Sequence, residues 1–110
     1  MQIDVQDSSP DLVIVTISGD VDLSTSRELQ GELRRVVANH PQKLIVDLSD
    51  VPYMDSSGVA TLVETMQLAR KGQTRLVLTS LKERVRSIFE IARLDSVFTI
   101  VDDLSTARSL

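Results

Sequence analysis

The stretch KLIVDLSDVPYMDSSGVATLVE, Lys43 to Glu64, holds both halves of a strand-to-helix unit. Leu44, Ile45, Val46 and Leu48 crowd the first half (Lys43 to Val51), an apolar density that predicts a central strand of a parallel sheet. In the second half Val59, Leu62, Val63 and Met66 recur at i, i+3, i+4 and i+7. That spacing predicts a helix from about Ser57 to Arg70, closed by a basic last turn at Lys71 and a glycine C′ residue at Gly72. Between the halves stand Asp55, Ser56, Ser57 and Gly58. One cap needs one residue, because a single serine or aspartate oxygen accepts from the free N–H groups of a helix start. Here several capping residues crowd the site, and a glycine leaves the backbone at the helix entrance open to another molecule. A hydroxyl at a helix N-terminus is also a good place for a phosphate, since the unpaired N–H groups and the positive dipole end stabilise its charge. The pattern makes Ser56 or Ser57 a candidate switch without choosing between them.

The pattern extends in both directions. Upstream, IDVQDS alternates Ile3 and Val5 with polar residues, SSPD supplies turn chemistry, and LVIVTIS (Leu12 to Ser18) is nearly continuous in apolar residues. These predict an antiparallel hairpin whose second strand is buried. GDVDLSTSREL then leads into a helix with Leu29, Leu33, Val36 and Val37 on one face. Thr25 and Glu28 have capping-box spacing, with Ser24 as an alternative cap, and Asn39, His40 and Pro41 close the helix. Downstream, TRLVLTS reads as a strand. Ser80 and Glu83 form a second capping-box candidate for a helix that buries Val85, Ile88, Phe89 and Ala92. Ser96 to Val101 reads as a last strand, and Asp102 or Asp103 can cap a terminal helix carrying Leu104, Ala107 and Leu110.

The order β-β-α-β-α-β-α-β-α predicts an α/β fold: a mostly parallel sheet of four to five strands, an N-terminal antiparallel hairpin and about four helices. No linker, repeat or low-complexity tract divides residues 1–110, so one domain is expected. Function in such sheets gathers at the carboxyl ends of strands. The segments Gly19 to Ser24 and Pro52 to Gly58 are both loops of that kind.

Composition removes several classes of function. Twelve basic and 16 acidic side chains give a net charge of -4, which argues against a nucleic-acid binder or a polybasic membrane anchor. The absence of cysteine excludes disulfides and thiol chemistry, and one histidine leaves no histidine metal cluster. No metal site and no cofactor are expected: Asp20 and Asp22 fall on one side of an extended segment but lack further oxygen ligands. No phosphate-cradling glycine loop is present. No signal peptide or apolar run of roughly 20 residues is visible, so a soluble cytoplasmic protein is expected. A hydrolase would need a G-x-S-x-G elbow and a base. The segment reads M-D-S-S-G-V, and the only histidine, His40, lies at the far end of a helix.

LIVDLSDVPYMDSSG, GDVDLSTSREL and RVRSIFEIARLDSVFTIVDDLSTA together resemble the STAS domain, and specifically the bacterial anti-sigma factor antagonists. That family shows D-S-S-G or D-S-T-G at a helix start, a G-E-x-D loop after the second strand, and a C-terminal V-x-x-[IL]-[FL]-x-x-x-G-L-x-x-x-F pattern. The likeness covers nearly the whole chain, with Arg93 standing where many members have glycine. It implies a non-enzymatic partner switch. The unphosphorylated antagonist binds an anti-sigma factor that is also a GHKL-type serine kinase, and the sigma factor is released. Phosphorylation of the first serine of the motif, Ser56, ends the complex, and a serine phosphatase restores it. The resemblance places Asp20, Asp22, Ser24, Asp55, Ser57 and Gly58 at the partner-binding surface, with Asp22 toward a basic group of the kinase, Asp55 positioning the site and Ser57 supporting the cap. ATP and magnesium belong to the kinase. The alternative is a non-catalytic STAS scaffold in a transporter, lipid-transport or stress-signalling complex.

Overall fold

The computed structural model describes residues 1–9 and 11–110. Strands β1 (Gln2–Ser9), β2 (Leu12–Ser18), β3 (Lys43–Asp50), β4 (Arg75–Thr79) and β5 (Thr99–Val101) form one sheet in sequence order. β1 runs antiparallel to β2, and β2 to β5 are mutually parallel. The helices are α1 (Ser26–Ala38), α2 (Ser56–Lys71), α3 (Glu83–Ile91) and α4 (Leu104–Ser109).

Register explains why the central strands are apolar on consecutive positions. Val13, Val15 and Ile17 of β2, with Leu44, Val46 and Leu48 of β3, face the core shared with α1, α2 and α3. Ile14, Ile45 and Val77 are aligned neighbours across β2, β3 and β4 and form a row on the opposite face. There they pack with Ala107 of α4, Leu12, Val101 and Leu104. With both faces covered, alternation with polar residues disappears, as parallel sheets require. Leu29, Leu33, Val36 and Val37 are buried on α1 as their spacing predicts. Val59 and Leu62 are buried on α2, and Val63 and Met66 are half-buried beside them.

Several local expectations are corrected. The capping box at α1 does not form. Thr25 is the N-cap, but its hydroxyl accepts from the Asp22 N–H at 2.9 Å and donates to the Asp20 carbonyl at 3.0 Å, so it has turned to the loop. The Ser80–Glu83 box fails too: α3 starts from Lys82 with no side-chain cap, and Ser80 holds a left-handed φ of 62°. Gly72 is not the left-handed residue after α2. Its φ is -89°, and Gln73 takes φ 59° instead. The glycine serves space, since a Cβ there would sit 2.9 Å from Nδ1 of His40. Ala92 is exposed, β5 is shorter than predicted, and Leu110 is 42% exposed. The SSPD turn includes Pro10 and lies partly outside the described residues.

Candidate functional site

The loops after β2 and β3 are sewn together beyond the ends of their strands. The Gly19 N–H donates to the Asp50 carbonyl at 2.9 Å, the Val21 N–H to the Tyr53 carbonyl at 3.0 Å, and the Asp55 N–H to the Val21 carbonyl at 3.1 Å. Val21 and Met54 form a parallel bridge, and both are buried. Two segments separated in sequence by all of α1 and β3 therefore meet at the N-terminus of α2.

Asp55 is the residue that caps α2. Its Oδ1 accepts from the Ser57 N–H at 2.9 Å, the Ser57 hydroxyl at 2.5 Å and, more weakly, the Gly58 N–H at 3.4 Å. Its Oδ2 accepts from the Leu23 N–H at 3.1 Å, which ties the first loop to the helix start. The Ser57 hydroxyl, foremost among these donors, holds the Asp55 carboxyl below its ordinary value against the opposing effect of burial. The capping groups are thus already taken by Asp55, not left free as the sequence suggested. Among the described residues, the N–H and the hydroxyl of exposed Ser56 have no partner within the chain. The structure separates the two serines: one is engaged, the other presented.

Asp22 organises the first loop in the same manner. Its Oδ1 accepts from the Ser24 hydroxyl at 2.6 Å and the Ser24 N–H at 2.9 Å. The Ser24 hydroxyl is the main cause of a lowered Asp22 pKa, opposed by burial and by the Asp55 charge. No hydrogen bond among the described residues uses Oδ2 of Asp22, so that oxygen remains available to a partner. Asp20 is exposed on the same loop.

Gly58 corrects another expectation. It does not leave an open entrance: it is buried, and an added Cβ would lie 2.7 Å from Cγ of Met54 and 2.8 Å from Cγ1 of Val21. The glycine lets the bridge between the loops lie against α2, so its part in the site is internal closeness.

Sequence reasoning missed Leu23, Val21 and Met54. Leu23 is 80% exposed, and no periodicity marks a single leucine in a loop. The link between α1 and α2 was also invisible: Glu64 accepts from Arg34 Nε at 2.5 Å and from Gln30 Nε2 at 2.7 Å. A groove of about 270 Å³ between α1 and α2 is lined by Leu23, Arg27 and Gln30 on one side and by Ser57, Ala60 and Glu64 on the other.

The single histidine lies away from both serines. The imidazole of His40 lies against Gly72 at the C-terminal end of α2, about 22 Å along the helix from Ser57 at 1.5 Å per residue. No group of three His, Asp or Glu side chains suited to a metal occurs among the described residues. No helix among them is long and apolar enough to cross a membrane.

Comparison with known proteins agrees with the geometry. The STAS domain family model matches residues 2–107. An anti-sigma-B factor antagonist of Bacillus subtilis is 31% identical over 91% of this chain and 90% of its own length. The anti-sigma-B factor antagonist of Listeria monocytogenes is 28% identical over 91% of this chain and 88% of its own. The crystal structure of an anti-sigma factor antagonist from Mycobacterium paratuberculosis superposes with a TM-score of 0.89 at 26% identity, covering 98% of this chain and 91% of that one.

Proposed function

The chain belongs to the STAS domain family, and on that premise we propose that it is an anti-sigma factor antagonist switched off by phosphorylation of Ser56. Unphosphorylated, it binds an anti-sigma factor that is a GHKL-type serine kinase, which frees the sigma factor. A serine phosphatase reverses the modification, and the cycle runs in the cytoplasm. The chain itself supplies no catalytic group.

One observation carries the choice of serine. The Ser56 hydroxyl is exposed and unpartnered at the first position of α2, whereas the Ser57 hydroxyl is bound to Asp55. A kinase can reach the first without breaking the cap; taking the second would remove a hydrogen bond that orders the site. Ser57 and Asp55 are accordingly positioning residues, and Asp22 Oδ2, Asp20 and Ser24 supply polar contacts.

Phosphate adds about -1.5 to -2 charge at neutral pH. On Ser56 it meets the helix dipole and its own free N–H, which stabilise it in the isolated chain. In a docked complex the same charge is buried beside Asp22 and Asp55, where repulsion and desolvation act together. The switch therefore acts on the interface and leaves the fold in place.

The test is incubation with GHKL-type serine kinases of the same genome and ATP, followed by phosphosite mapping. The expected result is one phosphate, on Ser56, lost in Ser56→Ala. Full labelling of Ser56→Ala, or no label on the wild type with any of these kinases, overturns the assignment.

A further inference from the structure

We propose that the recess between the C-terminal ends of α1 and α2 is a second interaction site, and that its occupant is an acidic segment of another protein carrying an exposed apolar side chain. The recess stands apart from the serine switch: Lys71 on its rim is about 22 Å along α2 from Ser56 at 1.5 Å per residue.

Val37, Ala38 and Leu68 form the apolar part of this recess of about 260 Å³, and Arg34, His40, Lys71 and Gly72 complete it. At about 260 Å³ it falls short of the roughly 300–1,000 Å³ of sites that enclose drug-sized ligands, and it suits one protruding side chain of another protein. Gly72 has φ -89°, a conformation open to any residue, yet a Cβ there would sit 2.9 Å from Nδ1 of His40. The missing side chain at 72 therefore makes room for the imidazole at the edge of the recess.

The rim decides what accompanies the apolar side chain. Its ionisable groups, Arg34, His40 and Lys71, are all of basic type and all exposed, and no carboxylate lines the recess. Arg34 gives its Nε to Glu64, a carboxylate that Gln30 also takes up. Among the described residues the terminal nitrogens of Arg34, the ring of His40 and the ammonium of Lys71 have no hydrogen-bond or ion-pair partner. Cations in a last helical turn commonly answer the carbonyls there. Here the chain closes those carbonyls itself. Val36 and Val37 accept from the Asn39 and His40 N–H groups, and Leu68, Ala69 and Arg70 accept from those of Gly72, Thr74 and Gln73. The rim thus keeps donors for an outside anion, in a chain whose net charge is -4. Acidic residues flanking the apolar side chain complement it. Asp20, Asp22 and Asp55 gather at the opposite end of α2, so the two ends select partners of opposite charge.

The probe is a short peptide of aspartates around a central leucine, titrated into the isotope-labelled chain while its amide shifts are followed by NMR. The expected result is saturable shifts confined to residues 34–40 and 68–72, with an affinity that falls as salt is added. Peptides with serine for the leucine, or asparagine for the aspartates, bind more weakly. Ala38→Glu and Lys71→Glu change exposed side chains, so unfolding midpoints stay near wild type. Each weakens binding about fivefold or more, as exchange of a surface attraction for a repulsion does. Lys71→Arg, which keeps the charge, stays within about twofold of wild type, and so does Arg84→Glu on α3. The proposal is overturned if the peptide shifts no amides or shifts others, if the asparagine peptide binds equally well, or if Lys71→Glu binds like wild type. Shifts at these residues with phosphatidylglycerol vesicles and none with the peptide would assign the surface to a membrane and overturn it as well. None of these outcomes bears on Ser56, since the assay contains no kinase.

Discussion

Among the described residues Asp55 and Asp103 are the two aspartates that cap helices with their side chains, and they do different things. Asp103 accepts from the Thr106 N–H at 2.7 Å and reaches no further. Asp55 accepts inside its helix with one oxygen and crosses to Leu23 with the other. The first is a local device that ends with α4. The second spends the same chemistry on joining two loops, and the joined loops surround an unpartnered serine. A capping residue becomes part of a functional site when its second oxygen is given long-range work.

The largest way to break the contrast is at the wedge beside Asp55. Gly58→Ala puts a methyl group into Met54 and Val21, and urea unfolding should show a loss of about 1–3 kcal/mol, as overpacked cores do. Next, Asp55→Ala should lower the thermal midpoint more than Asp103→Ala does. It should also speed hydrogen exchange at the Leu23 amide, which Asp103→Ala leaves alone. Equal effects of the two substitutions would show that the second oxygen of Asp55 does no long-range work. Ser56→Asp or Ser56→Glu should weaken kinase binding about tenfold or more through charge alone, with an unfolding midpoint close to wild type. A large backbone rearrangement in those variants would speak for a folding switch instead.

Acid titration sharpens the same comparison. Hydrogen bonds led by Ser24 and Ser57 lower the Asp22 and Asp55 pKa values below 3.8. Each folded value lies under the unfolded one, so the stabilisation is complete above the unfolded pKa and is lost as pH falls through the folded pKa. Asp55→Asn should lower stability at neutral pH, where the carboxylate's contribution is complete, and flatten the acid side of the stability curve, so that variant and wild type converge as pH falls.

The smallest effect lies away from both helix starts. Arg93 follows α3 with φ 59°, a conformation that costs a side-chain-bearing residue about 1–2 kcal/mol. Arg93→Gly should raise stability by about 0.5–1 kcal/mol after the entropy glycine loses on folding. An unchanged or lower stability would show that the arginine side chain contributes elsewhere.

The legibility of the molecule follows the range of its interactions. Periodicity exposed the strands, the buried face of α1 and the position of the loop that opens α2, because each is written within a few residues. Capping and openness were misread where neighbouring loop groups or a distant segment claimed the residue first. Thr25 looked like a box residue until Asp20 and Asp22 claimed its hydroxyl. Gly58 looked like an opening until Val21 came against it from another segment. Ser56 and Ser57 were equivalent to local rules and were told apart by resemblance alone; the geometry distinguishes them, since the Ser57 hydroxyl is bound to the Asp55 carboxylate and that of Ser56 is not.

The contact of Gly58 with Val21 and Met54 also governs how the sequence can drift. These three positions share one small volume, so their substitutions are not independent. A methyl group gained at position 58 needs one surrendered at 21 or 54, and Gly58→Ala combined with Val21→Ala should recover part of what Gly58→Ala loses. Lineages of this chain should therefore explore the triplet jointly, with the exposed surface around Ser56 and Leu23 left free to follow a changing partner while the three residues beneath it vary only in concert.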